Sequence, residues 1–187
     1  MNKTKVIAIS GTSGSGKTTI VRRLADTFNC AYLHFDDYIE EDTYPKDMSK
    51  WLNDGANLSA MKTPKFVIAI QKLLEQENSD FIFIEEPFGK ERESMRSLIN
   101  CVVLLDQPLE ICLARVINRS INNPLADSLK LLPKYLANYQ DHYRDCYLEA
   151  VNQVRNNCDF SIKVVLSVDA TTDLIHKWLT RDIVTRT

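Results

Sequence analysis

Residues 11–18 have the sequence Gly-Thr-Ser-Gly-Ser-Gly-Lys-Thr, and Thr19 follows. This is the pattern GxxxxGK[ST], placed between a short apolar run and a segment with helical spacing. The glycines let the backbone form a nest of N–H groups for phosphate oxygens, and the following helix adds its positive dipole end. The candidate cofactor-binding residues are Gly11, Thr12, Ser13, Gly14, Ser15, Gly16, Lys17, Thr18 and Thr19. We predict a nucleotide phosphate-binding loop rather than a fortuitous Gly/Ser turn.

Short apolar runs alternate with amphipathic segments along the rest of the chain. The predicted strands are 6–10, 31–35, 81–85, 101–106 and 161–167, and the predicted helices are 17–28, 64–76, 109–119, 129–154 and 171–181. Pro133 marks either a kink in the helix 129–154 or its true start. Near-continuous apolar strands that alternate with helices are typical of a parallel sheet covered on both faces. We therefore predict an α/β fold with a five-stranded parallel sheet flanked by helices.

Length, charge and cysteine content narrow the class of protein. The chain has 187 residues, which favours one domain, and 23 Lys+Arg against 25 Asp+Glu give a net charge of −2. That balance argues against nucleic-acid binding through a broadly basic surface. No apolar run approaches the ~20 residues of a membrane span, and the N-terminal segment does not have the form of a signal peptide. Five cysteines without a CxxC spacing favour reduced thiols, so we expect a cytoplasmic protein without nucleic-acid or membrane partners.

Acidic residues follow two of the predicted strands, at the edge of the sheet where ligands bind. Asp36 and Asp37 follow the second strand, and Glu85 and Glu86 end the third. Phosphoryl transfer to a hydroxyl needs a carboxylate that orients and deprotonates the acceptor, so Asp36 is the candidate base, although Asp-Asp also suits a turn or a helix cap. Mg²⁺ binds one or two carboxylates together with phosphates, a role for Glu85 or, alternatively, Glu86.

Features elsewhere in the chain favour a small-molecule kinase over other phosphate-loop proteins. The chain has no guanine-reading N/T-K-x-D segment and is shorter than the motor ATPases. Arg115 and Arg119 are spaced i, i+4 on one predicted helix, so both can point at one ligand. Guanidinium groups bind phosphates well, so these arginines are candidates to bind the phosphates of a nucleotide. The alternative interpretation is that they are two ordinary surface arginines.

Together, the loop 11–19, the segment Phe35–Tyr38, the strand 81–85 and the helix with Arg115 and Arg119 resemble the uridine kinase and nicotinamide riboside kinase family, in order and over most of the chain. The Asp-Asp-aromatic order of residues 36–38 is closer to the nicotinamide riboside kinase branch. The resemblance implies a three-layer P-loop NTPase fold of the kinase type, one domain over 1–187, with a substrate-binding region at about 36–62 and a small lid at about 115–130. It also implies ATP and Mg²⁺ as cofactors and a small molecule as substrate.

The resemblance further implies roles for single residues. Asp36 would be the base for a ribose 5′-hydroxyl, and Asp54 would hold the 2′- and 3′-hydroxyls, unless it belongs to an Asn-Asp-Gly turn. The arginines would clamp the phosphates as the lid closes. The catalytic set is Asp36, Lys17, Arg115 and Arg119; the metal set is Thr18 and Glu85; the substrate set is Asp36, Asp37, Tyr38, Trp51 and Asp54.

Aromatic side chains between 36 and 62 leave the acceptor open. Tyr38, Tyr44 and Trp51 could stack on a ring or simply pack in the core. The favoured function is ATP- and Mg²⁺-dependent phosphorylation of the 5′-hydroxyl of a ribonucleoside such as uridine, cytidine or nicotinamide riboside. One alternative is a kinase for a non-nucleoside sugar or vitamin precursor, because the family's usual residues after Asp54 are missing. The other is a regulator that binds nucleotide without turnover.

Overall fold

A parallel sheet lies at the centre of the computed structural model, which describes residues 4–76, 78–122 and 126–184. Within these ranges the sheet has five strands: β1 (Lys5–Ser10), β2 (Tyr32–Leu33), β3 (Phe81–Glu85), β4 (Cys101–Leu105) and β5 (Phe160–Ile162). Their order is β2-β3-β1-β4-β5, and every neighbouring pair is parallel. The predicted α/β class and five-stranded parallel sheet are confirmed.

Helices connect the strands and cover both faces of the sheet. The α-helices are α1 (Lys17–Phe28), α2 (Met48–Asn53), α3 (Pro64–Gln76), α4 (Glu93–Arg96), α5 (Leu109–Asn122), α6 (Ala126–Asn138), α7 (Arg144–Asn157) and α8 (Val168–Trp178). Short 3₁₀-helices span Phe35–Tyr38 and Leu58–Ala60, and π-helical segments span Tyr139–Tyr143 and Leu179–Val184. Among the described helices, none combines the length and the apolar character needed to cross a membrane.

The sheet separates the core into two layers, and successive side chains of β1 point alternately into one layer and the other. Val6 and Ala8 belong to a cluster on one face of the sheet, and Ile7 and Ile9 belong to a second cluster on the other face. Successive side chains of a strand point to opposite faces, so a strand buried on both faces is apolar at every position. The strand order places β1 at the centre of the sheet, so the loop that follows it lies at the middle of the sheet edge.

The two edge strands are shorter than predicted. β2 pairs with β3 only through Tyr32 and Leu33, and Phe35 turns into the 3₁₀-helix to enter the core. The predicted strand 161–167 is wrong beyond Ile162, because β4 ends at Leu105 and offers no further partner. The residues that follow are exposed (Val164 is 58% exposed), and α8 begins soon after them.

The predicted helix 129–154 is longer and less regular in the structure. It corresponds to α6, the π-helical segment Tyr139–Tyr143 and α7, which follow one another directly. Pro133 lies inside α6, so it does not mark the start of the helix. The predicted lid at about 115–130 includes residues 123–125, which lie outside the described residues.

A buried ion pair joins the end of β3 to three neighbouring segments. The side chains of Glu86 and Arg92 are both 0% exposed and form a two-point ion pair. Arg92 Nη1 also donates to Thr63 Oγ1 at 2.7 Å, and its guanidinium carbon lies 5.3 Å from the centroid of the Phe35 ring and 5.9 Å from that of Phe88. The pair therefore fixes the 3₁₀-helix that carries Asp36 against the sheet.

Replacing Arg92 by methionine should cost about 3–5 kcal/mol in the free energy of unfolding at pH 8, because it leaves an uncompensated buried carboxylate. Burial already raises the pKa of Glu86, and Arg92 opposes that rise. Without the guanidinium the folded-state pKa rises further above the unfolded value, so the folded variant binds more protons and regains stability as the pH falls. Urea unfolding at pH 5 and pH 8 measures both effects.

Arg96→Met is the matched control, because Arg96 is exposed in α4, the helix that Arg92 precedes as its N-cap residue. An Arg92→Met loss of the same size at both pH values would contradict the buried-charge explanation.

Candidate active site

The glycine loop packs tightly against α5. Gly14 has φ +81°, and a Cβ built on it would lie 2.2 Å from the carbonyl oxygen of Cys112. Gly16 has φ +104° and leads into α1 at Lys17, with open space where a side chain would be. Arg115 Nη1, one turn beyond Cys112, lies 3.3 Å from the carbonyl oxygens of Gly14 and Ser15. The contact at Gly14 therefore sets the distance between the loop and the arginine.

Lys17 lies buried inside the loop. Its Nζ donates to the Thr12 carbonyl oxygen at 2.9 Å and lies 3.6 Å from Glu85 Oε1. Burial lowers the pKa of Lys17, while the charges of Glu85 and Asp36 oppose that shift. The ammonium is thus held beside the nest of backbone N–H groups, where it can turn to a bound phosphate.

Glu85, at the end of β3, faces the loop. Its side chain is buried, and Oε2 accepts a hydrogen bond from Thr18 Oγ1 at 2.8 Å. His34 Nδ1 lies 3.3 Å from the same oxygen. The structure brings together the hydroxyl and the carboxylate predicted to hold Mg²⁺, a donor set of the kind that this ion takes with substrate phosphates. Glu86, the alternative, faces Arg92 instead.

Asp36 reaches the site from the segment that follows β2. It lies in the 3₁₀-helix Phe35–Tyr38 and lines the same cavity as Lys17 and Glu85. Burial, and then the charge of Glu85, raise the pKa of Asp36, while Lys17 and Arg119 oppose the shift. A carboxylate with a raised pKa accepts a proton more readily, which suits a general base.

These residues share one large cavity of about 910 Å³. One side is the glycine loop with Lys17, Thr18, Thr19 and Glu85, and Asp36, Arg115 and Arg119 also line it. The other side is an aromatic wall, which we define as Tyr44, Trp51, Tyr143 and Tyr147. Trp51 Nε1 donates to the Asn57 carbonyl oxygen at 2.9 Å, so this ring is fixed in place.

A smaller cavity of about 210 Å³ lies on the other side of the loop. It is bounded by Gly16 and Thr19, by Arg115, and by Leu166 and Val168 from the segment after β5. The side-chain amide of Gln107 donates to the carbonyl oxygens of Ile162 and Val164 at 3.0 and 3.1 Å. These two hydrogen bonds hold the segment after β5, which carries Leu166, next to the start of α1.

Three predicted substrate residues do not line the large cavity. Asp37 is exposed, and Tyr38 packs against Phe66 with ring centroids 5.1 Å apart. Asp54 caps the end of α2, where it forms a surface ion pair with Lys50 at 2.6 Å. In this structure Asp54 thus lies in a turn at the protein surface.

Other site residues were not singled out from the sequence. His34 is buried beside Glu85, a placement that required knowledge of the sheet order. Tyr143 and Tyr147 belong to a series of tyrosines with Tyr135 and Tyr139, at a regular spacing of four residues that was visible in the sequence. Four ring pairs in this series have centroids 6.0–6.2 Å apart: Tyr135–Tyr139, Tyr135–Tyr143, Tyr139–Tyr147 and Tyr143–Tyr147.

A phosphate-binding glycine loop between the first strand and first helix of a parallel sheet defines the α/β P-loop NTPase fold. A family model described as an AAA domain matches residues 7–129, more than half of the chain. The chain belongs to this AAA domain family.

Solved structures with a similar fold include several kinases. A shikimate kinase from Acinetobacter baumannii in complex with shikimate has a TM-score of 0.60 at 19% identity, over 97% of each chain. A gluconokinase from Sinorhizobium meliloti has a TM-score of 0.56 at 14% identity, over 97% of this chain and 94% of that one. A shikimate kinase from Aquifex aeolicus has a TM-score of 0.52 at 16% identity, over 94% and 96%. These likenesses confirm the predicted three-layer P-loop fold.

A search of the curated proteins gives no match. Neither the family model nor the structures named above single out the uridine kinase and nicotinamide riboside kinase group, so that finer resemblance stays a prediction.

Gly14→Ala should weaken binding of an ATP analogue and lower the melting temperature more than Gly16→Ala does. Both variants put an L-residue at a positive φ, but only the first drives a Cβ into the backbone of α5. Overpacking of this kind adds about 1–3 kcal/mol to the conformational strain. Calorimetric titration and thermal unfolding of the two variants measure the difference, and equal losses would contradict the contact with α5.

Proposed function

We propose that this protein is a kinase that transfers the γ-phosphoryl group of ATP to a hydroxyl group of a small molecule. The observation that carries the proposal is the meeting of a phosphate loop, the Thr18–Glu85 pair and the Asp36 carboxylate in one cavity. The similar structures named for kinases of small molecules support the same assignment. We assign the activity to a single domain, 1–187, with a substrate region at about 36–62 and a lid at about 115–130.

The donor nucleotide would occupy the loop side of the site. Its phosphates would lie on the backbone N–H groups of the loop, and Lys17 would turn from the Thr12 carbonyl to the β- and γ-phosphates. Arg115 lines both cavities. The apolar surface at Leu166 and Val168 would contact the adenine base of the nucleotide. Thr18 and Glu85 would hold Mg²⁺, which neutralises charge on the phosphates.

The acceptor would lie between Asp36 and the aromatic wall. Asp36 would take the proton of the attacking hydroxyl as the phosphoryl group transfers, and its raised pKa favours that transfer. Arg119, which is close enough to lower the pKa of Asp36, would stabilise negative charge on the transferring group. Positioning and electrostatic stabilisation are the main contributions that a protein makes to phosphoryl transfer.

We further propose that the acceptor is a ring compound of the nucleoside type, phosphorylated on its 5′-hydroxyl. Support comes from the aromatic wall, because tyrosine and tryptophan rings stack on planar ligands and keep a polar edge for hydrogen bonds. The wall combines residues before and within α2 (Tyr44 and Trp51) with residues of the long helical segment (Tyr143 and Tyr147). Uridine, cytidine and nicotinamide riboside are the first acceptors to test.

A second candidate is a kinase for a non-nucleoside sugar or vitamin precursor. The surface position of Asp54, paired with Lys50, favours it, because the carboxylate implied for the ribose hydroxyls does not reach the cavity. One acceptor panel separates the two candidates.

With Mg–ATP and a panel of nucleosides, pantothenate and simple sugars, we expect one nucleoside to accelerate ADP release. Asp36→Asn should lower kcat for that acceptor by about 10²–10⁴-fold, because it removes the proton acceptor, and should leave the affinity for an ATP analogue within about twofold. Coupled ADP release and mass spectrometry of the product measure the change.

Asp37→Asn is the matched control, since Asp37 is adjacent and exposed and does not line the cavity. It should retain near-wild-type activity. ATP binding without acceleration by any acceptor would favour a nucleotide-binding regulator, and a fully active Asp36→Asn would exclude Asp36 as the base.

Tyr143→Ala should raise the KM for the acceptor by about 2–10-fold and leave the KM for ATP unchanged, because a stacked aromatic pair contributes about 0.5–1.5 kcal/mol. Tyr139→Ala is the comparison variant, since Tyr139 belongs to the same segment and does not line the cavity. Steady-state kinetics in both substrates measure the two constants. An equal effect of both variants on the acceptor KM would argue against stacking by Tyr143.

A further inference from the structure

His34 lies between an arginine at the surface and a carboxylate in the site. It follows β2 directly, its residue is 6% exposed, and Arg22 Nε donates to its Nε2 at 3.0 Å. Because Nε2 accepts this hydrogen bond, the proton of the neutral ring is on Nδ1. Arg22 therefore determines which nitrogen of His34 is a donor.

The donor nitrogen lies beside Glu85. His34 Nδ1 is buried, lies 3.3 Å from Glu85 Oε2 and has no partner at full hydrogen-bond geometry among the described residues. A buried polar group without a partner is costly, so an unsatisfied donor beside a ligand site indicates a state in which it is used. The same carboxylate oxygen accepts from Thr18 Oγ1.

The proposed nucleotide binding would change the surroundings of Glu85. In this structure Lys17 Nζ lies 3.6 Å from Glu85 Oε1, and burial leaves little water to replace it. In the proposed ATP complex Lys17 would turn to the phosphates, and its charge would move away from Glu85. Thr18 and His34, which also contact Glu85 in this structure, would then remain beside it. Thr18 is itself proposed to bind Mg²⁺ together with Glu85.

We propose that Arg22 and His34 form a positioning pair that orients Glu85 for Mg²⁺ when ATP is bound. Arg22 fixes the ring with Nδ1–H towards the carboxylate, and the Nδ1–H group donates to Glu85 as Lys17 moves to the phosphates. Hydrogen bonds to a metal-binding carboxylate from outside the ligand set hold its orientation and strengthen metal binding. The inference rests on the proposed Mg–ATP site and adds two residues that do not touch the nucleotide.

A packing role for His34 makes a different prediction. The ring lies 5.1 Å from that of Tyr32, so it also fills space at the sheet edge. Two amide variants separate the roles. The side-chain amide of His34→Asn occupies the position of Nδ1 and can donate to Glu85, whereas that of His34→Gln occupies the position of Nε2 and meets Arg22 instead.

The test is calorimetric titration with AMP-PNP, with and without Mg²⁺, which needs no acceptor. We expect His34→Gln to lower the affinity for Mg²⁺ in the nucleotide complex by about 10–100-fold. His34→Asn should stay within about threefold of wild type, and the metal-free affinity for AMP-PNP should be unchanged in both. Mn²⁺ titration followed by electron paramagnetic resonance gives an independent measure of metal affinity.

Arg22→Gln supplies a second test, with Arg23→Gln as its matched control, because Arg23 is on the same helix but pairs with Asp169. Arg22→Gln should weaken Mg²⁺ binding by a smaller factor than His34→Gln, and Arg23→Gln should not change it. Unchanged Mg²⁺ affinity in a folded His34→Gln protein, or equal losses in His34→Asn and His34→Gln, would overturn the proposal. If His34→Gln fails to fold, an unchanged Arg22→Gln overturns it. A missing acceptor would count against the kinase function alone.

Discussion

The position of β3 between β1 and β2 determines how this site is assembled. Because parallel strands end at the same edge, the end of β3 places Glu85 between the glycine loop after β1 and the segment after β2 that carries His34 and Asp36. Glu85 therefore contacts groups from both neighbours: Thr18 and Lys17 on one side and His34 on the other. A carboxylate on an edge strand would have neighbours on one side only.

The two adjacent glutamates at that strand end have different partners. Glu85 faces the loop, and Glu86 turns the other way into a fully buried pair with Arg92. The Glu86–Arg92 pair has no role in the proposed chemistry. Its guanidinium group lies against the rings of Phe35 and Phe88, and it therefore supports the 3₁₀-helix that carries Asp36. The position of the Asp36 carboxylate therefore depends on the buried pair, in which Arg92 neutralises the charge of Glu86.

The sequence was most informative where structure is local. The glycine loop is a contiguous motif with a direct physical meaning, and the apolar runs predicted the buried strands well. The direction of the Glu86 side chain depends on Arg92, and the surface position of Asp54 depends on Lys50 and on the path of α2. The lengths of the edge strands depended on where their partners end. These are tertiary facts, and neither composition nor spacing contains them.

The π-helical segment Tyr139–Tyr143 sits between α6 and the part of the helix that carries Tyr147. Such segments hold more residues per turn than an α-helix, so they shift the angular register of everything that follows. Loss of a single residue there would rotate the following side chains by about 100° relative to α6. Such a rotation would also turn Cys146, Val151 and Val154 away from the core that they share with the sheet, so the length of this segment is tied to the packing of α7. The extra residue of the π-helical segment therefore links the direction of Tyr147 to the seat of α7 on the sheet.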